Sequence, residues 1–344
     1  MTVVRKKKKK GGYAAIIITL AILVAIVAML FVQGRLSQMK RVSEVNDVVP
    51  PSEQTFETDE SASPDTLHPD DVEWTETLEA EPVEGVTNIL LIGQDARAGQ
   101  GRQRSDTMII CSLNANTDTI TMCSLMRDLY VPIPGYSDNR INAAYVFGGM
   151  PLLDQTIEEA FGVHIDGNIE VNLEGFLDSM AAVGNLDIEL TEDEAEYMNE
   201  NPAMGSGTDI TDENWHLSEG VNSLTPAQAL AYSRMRHVGN SDYERTERQR
   251  KMLTAAFKKL TGSSVSTLIS LSDDILPSLT TDMSQAQILA LIQLAHGMQL
   301  NSESYRIPVN GAYTSEGIRG MAVLVPDLAA NSNYLKEYLY GEES

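Results

Sequence analysis

The sequence predicts an α/β fold: an α-β-α layered domain with a central mixed sheet, preceded by one N-terminal transmembrane helix. Three observations carry this. From Val86 onward, short apolar runs alternate with amphipathic helical spacings, the pattern of helices packed on a sheet. Two β-rich runs, Met108–Leu113 and Ile120–Leu125, flank a polar stretch from Asn114 to Thr119 and read as a hairpin, which adds antiparallel pairing. Ala14 to Val32 is 19 residues without a charge, which at about 1.5 Å per residue crosses a hydrocarbon core of roughly 30 Å.

Arg5 and Lys6 to Lys10 precede that apolar segment. Positive charge stays inside, so residues 1–13 are expected in the cytoplasm as a basic tail, with 14–32 as a single-pass signal anchor and the rest outside. A cleaved signal peptide would have an apolar region of about 7–15 residues and a small-residue cleavage site. Gln33-Gly34-Arg35-Leu36 follows instead, which favours the uncleaved anchor. Residues 33–85 are rich in Glu, Asp, Ser, Thr and Pro, most densely after Ser43. Such a stretch offers little apolar surface to offset chain entropy, and a flexible acidic linker is expected. Residues 86–344 then form one large extracellular domain.

Within that domain, Asn88 to Gly93 reads as a strand buried on both faces, and Gln94 to Ser105 as a polar loop. Pro151 to Phe161 has helical spacing and is stopped by Gly162. Ile165 to Val171 alternates as a strand, Leu173 to Val183 as a second helix, and Leu186 to Leu190 as another strand. Thr191 to Trp215 is acidic and turn-rich, expected as a surface loop. Thr225-Pro226 opens a helix to about Ser233, with Pro at the first helical position. Arg245–Leu260, Ser284–Met298 and Asp327–Leu339 are further helices, with a strand near Tyr305–Pro308.

The chain has 49 acidic and 25 basic residues, net −24. Six of the basic residues lie in the first 12 positions, so the remainder carries a formal −30. Nucleic acid is not an expected partner, because its binding needs many cationic contacts to phosphate, and no basic recognition helix is present. Cys111 and Cys123 fall on the two hairpin runs; a disulfide and two buried thiols are both open.

Against this acidity, arginine gathers beside carboxylates. Asp95-Ala96-Arg97, Arg102 to Thr107, Arg127-Asp128, and the block Arg234, Arg236, Arg245, Arg248, Arg250 stand out. Guanidinium forks match phosphate oxygens in pairs. Asp95 and Asp106 flank one loop, and two carboxylates brought together there can hold one Mg²⁺ (or Mn²⁺) that shares its ligands with phosphate. Arg245, Arg248 and Gln249 fall at i, i+3 and i+4, one helix face. Arg234 and Arg236 share a face only if extended. Arg140-Ile141-Asn142-Ala143-Ala144-Tyr145, followed by Gly148-Gly149, adds hydrogen-bonding groups and a backbone open to close approach. Turn roles for the aspartates and a solvated, ion-paired surface for the arginines are the plainer alternatives.

These stretches, with Ser124-Leu125-Met126 before Arg127, Leu230 to His237 and Arg245 to Arg250, resemble the LytR-CpsA-Psr family. The resemblance is strong from Val86 to Leu260 and looser beyond. It implies a ligase-type phosphotransferase of the cell membrane, in a Gram-positive-type envelope. Its expected donor is a glycopolymer (teichoic acid, capsule or another secondary wall polymer) linked to a polyprenyl pyrophosphate. Its expected acceptor is peptidoglycan. By the matching motifs, Asp95 and Asp106 would hold magnesium. Arg104, Asp106, Arg127 and Arg245 would be catalytic, and Arg97, Arg234, Arg236, Arg248, Gln249 and Asn142 would bind substrate. Asp106 and Asp242 are the two candidates for a general base. Gln94 and Met126 depart from the family pattern, the latter where Pro is common. A transcriptional attenuator and a polyprenyl-pyrophosphate pyrophosphatase are the competing functions.

Overall fold

The computed structural model describes residues 34–42, 48–58, 64–74, 77–94, 101–172, 182–206, 215–235, 237–239, 242–261, 273–295, 297–301 and 305–341, with residues 175, 179, 271 and 303 as isolated positions. The 14–32 segment, Asp95, Arg97, Arg236 and most of 173–183 lie outside the described residues. Among the described residues, no helix is long and apolar enough to cross a membrane.

The strands in chain order are β1 (Lys40–Arg41), β2 (Val86–Gln94), β3 (Ser105–Asn114), β4 (Thr119–Leu125), β5 (Tyr130–Val131), β6 (Asn139–Arg140), β7 (Gly167–Asn172), β8 (Leu186–Leu190), β9 (Gly220–Leu224), β10 (Leu279–Thr281), β11 (Gln299–Leu300), β12 (Tyr305–Ile307), β13 (Tyr313–Ile318) and β14 (Met321–Pro326). The main sheet runs β1-β10-β7-β2-β3-β4-β11, with β12 also beside β4. It is mixed, as expected. β2 is parallel to β7 and β4 to β12, while β2/β3 and β3/β4 are antiparallel.

The helices are α1 (Asn142–Phe161), α2 (Glu192–Glu200), α3 (Ala203–Ser206), α4 (Pro226–Arg234), α5 (Asp242–Thr261), α6 (Gln285–Ala295) and α7 (Leu328–Tyr340). The pleat divides the central strands between two cores. Leu90, Ile92, Met108 and Ile110 meet Phe147, Ile157 and Leu335 from α1 and α7. Ile89, Leu113 and Ile120 point the other way, toward Ile288 of α6 and Leu36 and Met39 of the N-terminal stretch. A further cluster joins β8 and β9 to α2, α4 and α5 through Leu186, Ile188, Met198, Tyr232 and Met252.

Three expectations are corrected and one open choice is decided. The helix expected from Pro151 starts earlier: α1 begins at Asn142 and breaks at Gly149, φ 69° and ψ −155°, before Pro151 restarts it. Thr191 to Trp215 is not all loop. Thr191 caps α2, accepting from the Glu194 amide at 3.2 Å while Glu194 Oε2 accepts from the Thr191 amide at 3.1 Å, a reciprocal capping box. The described residues of 33–85 are packed strap, not spacer. Leu36 and Met39 are buried, and β1 pairs with β10. The Val49 amide donates to Phe147 O at 2.8 Å, and Trp74 Nε1 donates to Asp138 at 2.6 Å. Of the two readings left open for the cysteines, free thiols hold, Cys123 buried and Cys111 half-buried. Cys123 pairs across the ladder with Ile110, and Cys111 with Met122, so the two side chains sit on opposite faces of the sheet. Burial pushes both thiols up to about 12.

Candidate functional site

A cavity of about 520 Å³ lies between the sheet and helices α4 and α5. Its polar residues come from element ends. Gln94 closes β2, Asp106 and Thr107 open β3, Asn172 closes β7, Arg234 closes α4, and Arg245 and Gln249 lie in the first turns of α5. Further along the same elements, Leu91, Ile109 and Ile169 face Met252, Leu253 and Ala256. One space is thus polar at one end and hydrocarbon-like at the other.

Asp106 reaches this space through an irregularity. Gly93 pairs with Thr107 and Gln94 with Ser105, so Asp106 is the extra residue of a bulge. A bulge bends its strand and re-aims a side chain. Arg127, two residues beyond β4, places Nη1 2.8 Å from Asp106 Oδ1 and Nε 3.5 Å from Asp128. Asp128 in turn lies 3.4 Å from Arg140 Nε, and Arg140 donates to Ala322 O at 2.7 Å. The pair therefore rests on a buried cation anchored to β14.

Arg104 stands beside this pair. Burial lowers its pKa, the nearby Arg140 and Arg127 add to that, and Glu57 opposes it. Glu57 Oε2, from the strap, lies 3.1 Å from Arg104 Nε. Arg104 Nη1 is buried and makes no hydrogen bond.

Arg104 and Arg127 do not themselves line the cavity, Arg127 meeting it through Asp106, and two expected site residues are placed elsewhere. Arg248 does not line the cavity. It is 3% exposed, with Nε 2.7 Å from Glu194 and donations to Met235 O and Val238 O at 3.0 Å. A three-residue step turns it about 60° away from Arg245, enough to enter the neighbouring core. Asn142 is likewise buried at the start of α1, its Oδ1 without a hydrogen bond, and is not a lining residue. Arg250 is also structural: it donates to Ser124 Oγ on β4, and burial pulls its pKa down to about 10.

Sequence reasoning missed the support behind the polar end. Glu170 on β7 is 9% exposed. It accepts from the Tyr145 hydroxyl at 2.5 Å and from the Gln94 amide, while Gln94 Oε1 accepts from the Gln103 amide at 3.0 Å. Burial, then the Glu170 charge, drives the Tyr145 pKa far upward, which keeps the phenol a donor. Arg102 covers the Tyr145 ring at 5.9 Å and donates to Val146 O. This network holds the 101–104 segment that carries Arg104. The available signal was a glutamate between Ile169 and Val171 in a strand expected only to alternate, where it read as a solvent-facing position.

Asp106 is the one carboxylate lining the cavity among the described residues. Oxygen donors of this kind suit a hard cation. The described residues hold no group of three or more His, Cys, Asp or Glu side chains placed around a metal, so Asp106 can supply part of such a shell and not all of it.

The LytR_cpsA_psr family model matches residues 53–337. A "polyisoprenyl-teichoic acid–peptidoglycan teichoic acid transferase TagU" of Bacillus mycoides is 33% identical over 275 residues, 78% of this chain and 82% of that protein. The protein of the same name from Oceanobacillus iheyensis is 34% identical over 232 residues, 65% and 67% of the two chains. Among solved structures, Bacillus subtilis TagV aligns with TM-score 0.58 at 25% identity over 75% of this chain and 98% of its own. TagT with bound octaprenyl pyrophosphate aligns with TM-score 0.55 at 21% identity over 77% and 96%, a likeness of fold. The match begins at residue 53, inside the packed strap, and runs through every element that builds the cavity: this chain belongs to the LytR-CpsA-Psr family.

Proposed function

We propose that this protein is a membrane-anchored phosphotransferase. It moves a polyprenyl-pyrophosphate-linked glycopolymer, of the teichoic acid class, onto peptidoglycan through a phosphodiester. The observation that carries the reading is the single cavity with a hydrocarbon-lined body and an end bearing Asp106, Arg234, Arg245 and Gln249. An amphiphile with a long apolar tail and a multiply charged head fits that division. The names of the TagU relatives support the polymer class and the acceptor.

In this reading Leu91, Ile109, Ile169, Met252 and Leu253 exclude water from the tail. Arg234, Arg245 and Gln249 grip phosphate oxygens, and Arg97 and Arg236 extend the same set. Arg127, steadied by Asp106 and Asp128, and Arg104 face the charge that grows as the phosphoryl group leaves its carrier. Fixed cations placed where charge develops lower the barrier most. Asp106, with Asp95, would hold Mg²⁺, which when bound would neutralise phosphate charge. The chain is anchored by residues 14–32 with its folded part outside the cell, where the acceptor is found.

The test uses the purified full chain with lipid-linked polymer, with and without peptidoglycan. Polymer attached to the wall, only when acceptor is present and lowered about 10²–10³-fold by Arg127→Ala, is the expected result. Polymer release without acceptor would make it a pyrophosphatase instead. Equal transfer by wild type and variant would remove Arg127 from the chemistry.

A further inference from the structure

Helix α6 shows an unusual surface for so acidic a protein. Ile292 is 55% exposed. Ala286, Gln287, Ala290 and Gln293 are also exposed, and Leu289, Leu291 and Leu294 are half-buried. No Asp, Glu, Lys or Arg occurs from Met283 to Ser302, although 22% of the chain is charged. An exposed apolar patch of this kind marks a contact surface.

The chain itself says what lies beside it. Leu36 and Met39, 3% and 5% exposed, are buried in the same cluster as Ile288 of α6. Val32, the last residue of the charge-free segment, is two residues from Gly34. Two residues of chain reach at most about 7 Å, so an anchor ending at Val32 would have to enter the bilayer near the described chain that begins at Gly34. Lys40 and Arg41, at the same edge of the sheet, are exposed. Elsewhere the acidic surface is repelled by anionic lipid; here a neutral patch adjoins the exposed cations Lys40 and Arg41, while of the nearby acids Asp273 is paired with Arg35 and Asp282 accepts from Asn168.

Resting on the reading of 14–32 as a membrane anchor, we infer that the exposed face of α6 is a bilayer-contact surface, seated at the boundary of headgroups and acyl chains. Apolar side chains on a helix lying in the interface plane bind in this way. The contact orients the site. Leu91, Ile169 and Leu279 belong both to the cavity wall and to the α6 cluster, so the hydrocarbon end of the cavity is turned toward lipid and its charged end away from it. A polyprenyl tail then passes from bilayer to cavity along one apolar cluster.

The experiment uses the full chain reconstituted in vesicles of phosphatidylglycerol and phosphatidylcholine. Ile292→Cys and Val221→Cys variants carry a fluorophore. Val221 is 73% exposed on β9, a strand whose Leu224 packs in a different cluster, and the native thiols, half-buried Cys111 and buried Cys123, are replaced by alanine so that only the introduced thiol is labelled. Nitroxide-labelled lipid is expected to remove most emission at 292 and leave 221 bright. A chain that fails to float with the vesicles overturns the anchor and this surface together. A chain that floats but keeps its emission at 292 overturns this surface alone. In that case shielding of 292 from aqueous acrylamide points to a second copy of the chain, and free access to acrylamide points to no occupant.

Discussion

Arg245 and Arg248 stand three residues apart on α5 and are equally buried, each 3% exposed, yet the helix sends them to different surroundings. Arg245 lines the cavity. Arg248 meets Glu194, itself 5% exposed, and ties down the chain at Met235 and Val238. Removing one member of a buried ion pair leaves the other charge uncompensated, at a cost of roughly 3–5 kcal/mol. Arg248→Met is therefore expected to lose about that much in urea denaturation. Arg245→Met is expected to lose less stability while transfer falls about 10²-fold or more. The order of the two variants in stability, opposite to their order in residual activity at a temperature where both are folded, checks the assignment; the same order in both assays would contradict it. Residue types and spacing made both arginines visible in the sequence. They did not separate them, because i and i+3 share a broad face and only the packing of α2 against α5 decides which side of it is core.

At the scale of elements, the break in α1 is the clearest dependence of geometry on one residue. Gly149 sits at φ 69° and ψ −155°, a region open essentially to glycine alone. A Cβ there would also lie 2.8 Å from Arg102 Nη1. Gly149→Ala is expected to lower stability by about 1–3 kcal/mol, measured by chemical denaturation. Because Arg102 covers Tyr145 and leads into Arg104, activity is expected to fall as well; an unchanged midpoint would show that the break is not needed. The sequence announced the second half of this helix through Pro151 and Gly162 and concealed the first, since paired glycines read as loop. The capping box at Thr191 and Glu194 was written in the sequence, but its acidic surroundings resembled a solvated loop. The β13–β14 hairpin was obscured in the same way. Arg319 and Gly320 both take positive φ, 54° and 74°, the two-residue turn that strand twist prefers, but arginine is a poor advertisement for it.

Across the whole molecule, what the sequence displayed was the central sheet and the chemistry-bearing residues; what it hid was long-range packing. Composition alone made 33–85 a linker, because few apolar residues are present. Trp74 against Tyr130, with ring centroids 6.1 Å apart, and Phe56 beneath Arg319 at 4.5 Å are enough to fasten its described parts. A second long-range device yields a pH prediction. Asp154 on α1 accepts from Asn168 Nδ2 of β7 at 2.7 Å, and the same nitrogen donates to Asp282, just after β10, at 2.7 Å. Burial raises the Asp154 pKa to about 8, with Asp282 and Glu158 adding to the rise and Asn168 opposing it. An unfolded aspartate titrates near 4, so the folded state holds this proton more tightly. The resulting stability is full below about pH 4 and is lost as pH rises toward 8. Asparagine at 154 keeps an acceptor for Asn168 without a charge to bury. Asp154→Asn is therefore expected to unfold later than wild type at pH 8 and to differ little from it at pH 4–5, read from thermal midpoints across that range. A variant whose difference from wild type is the same at both ends would show that Asp154 is not the group that couples the junction of α1, β7 and β10 to protons.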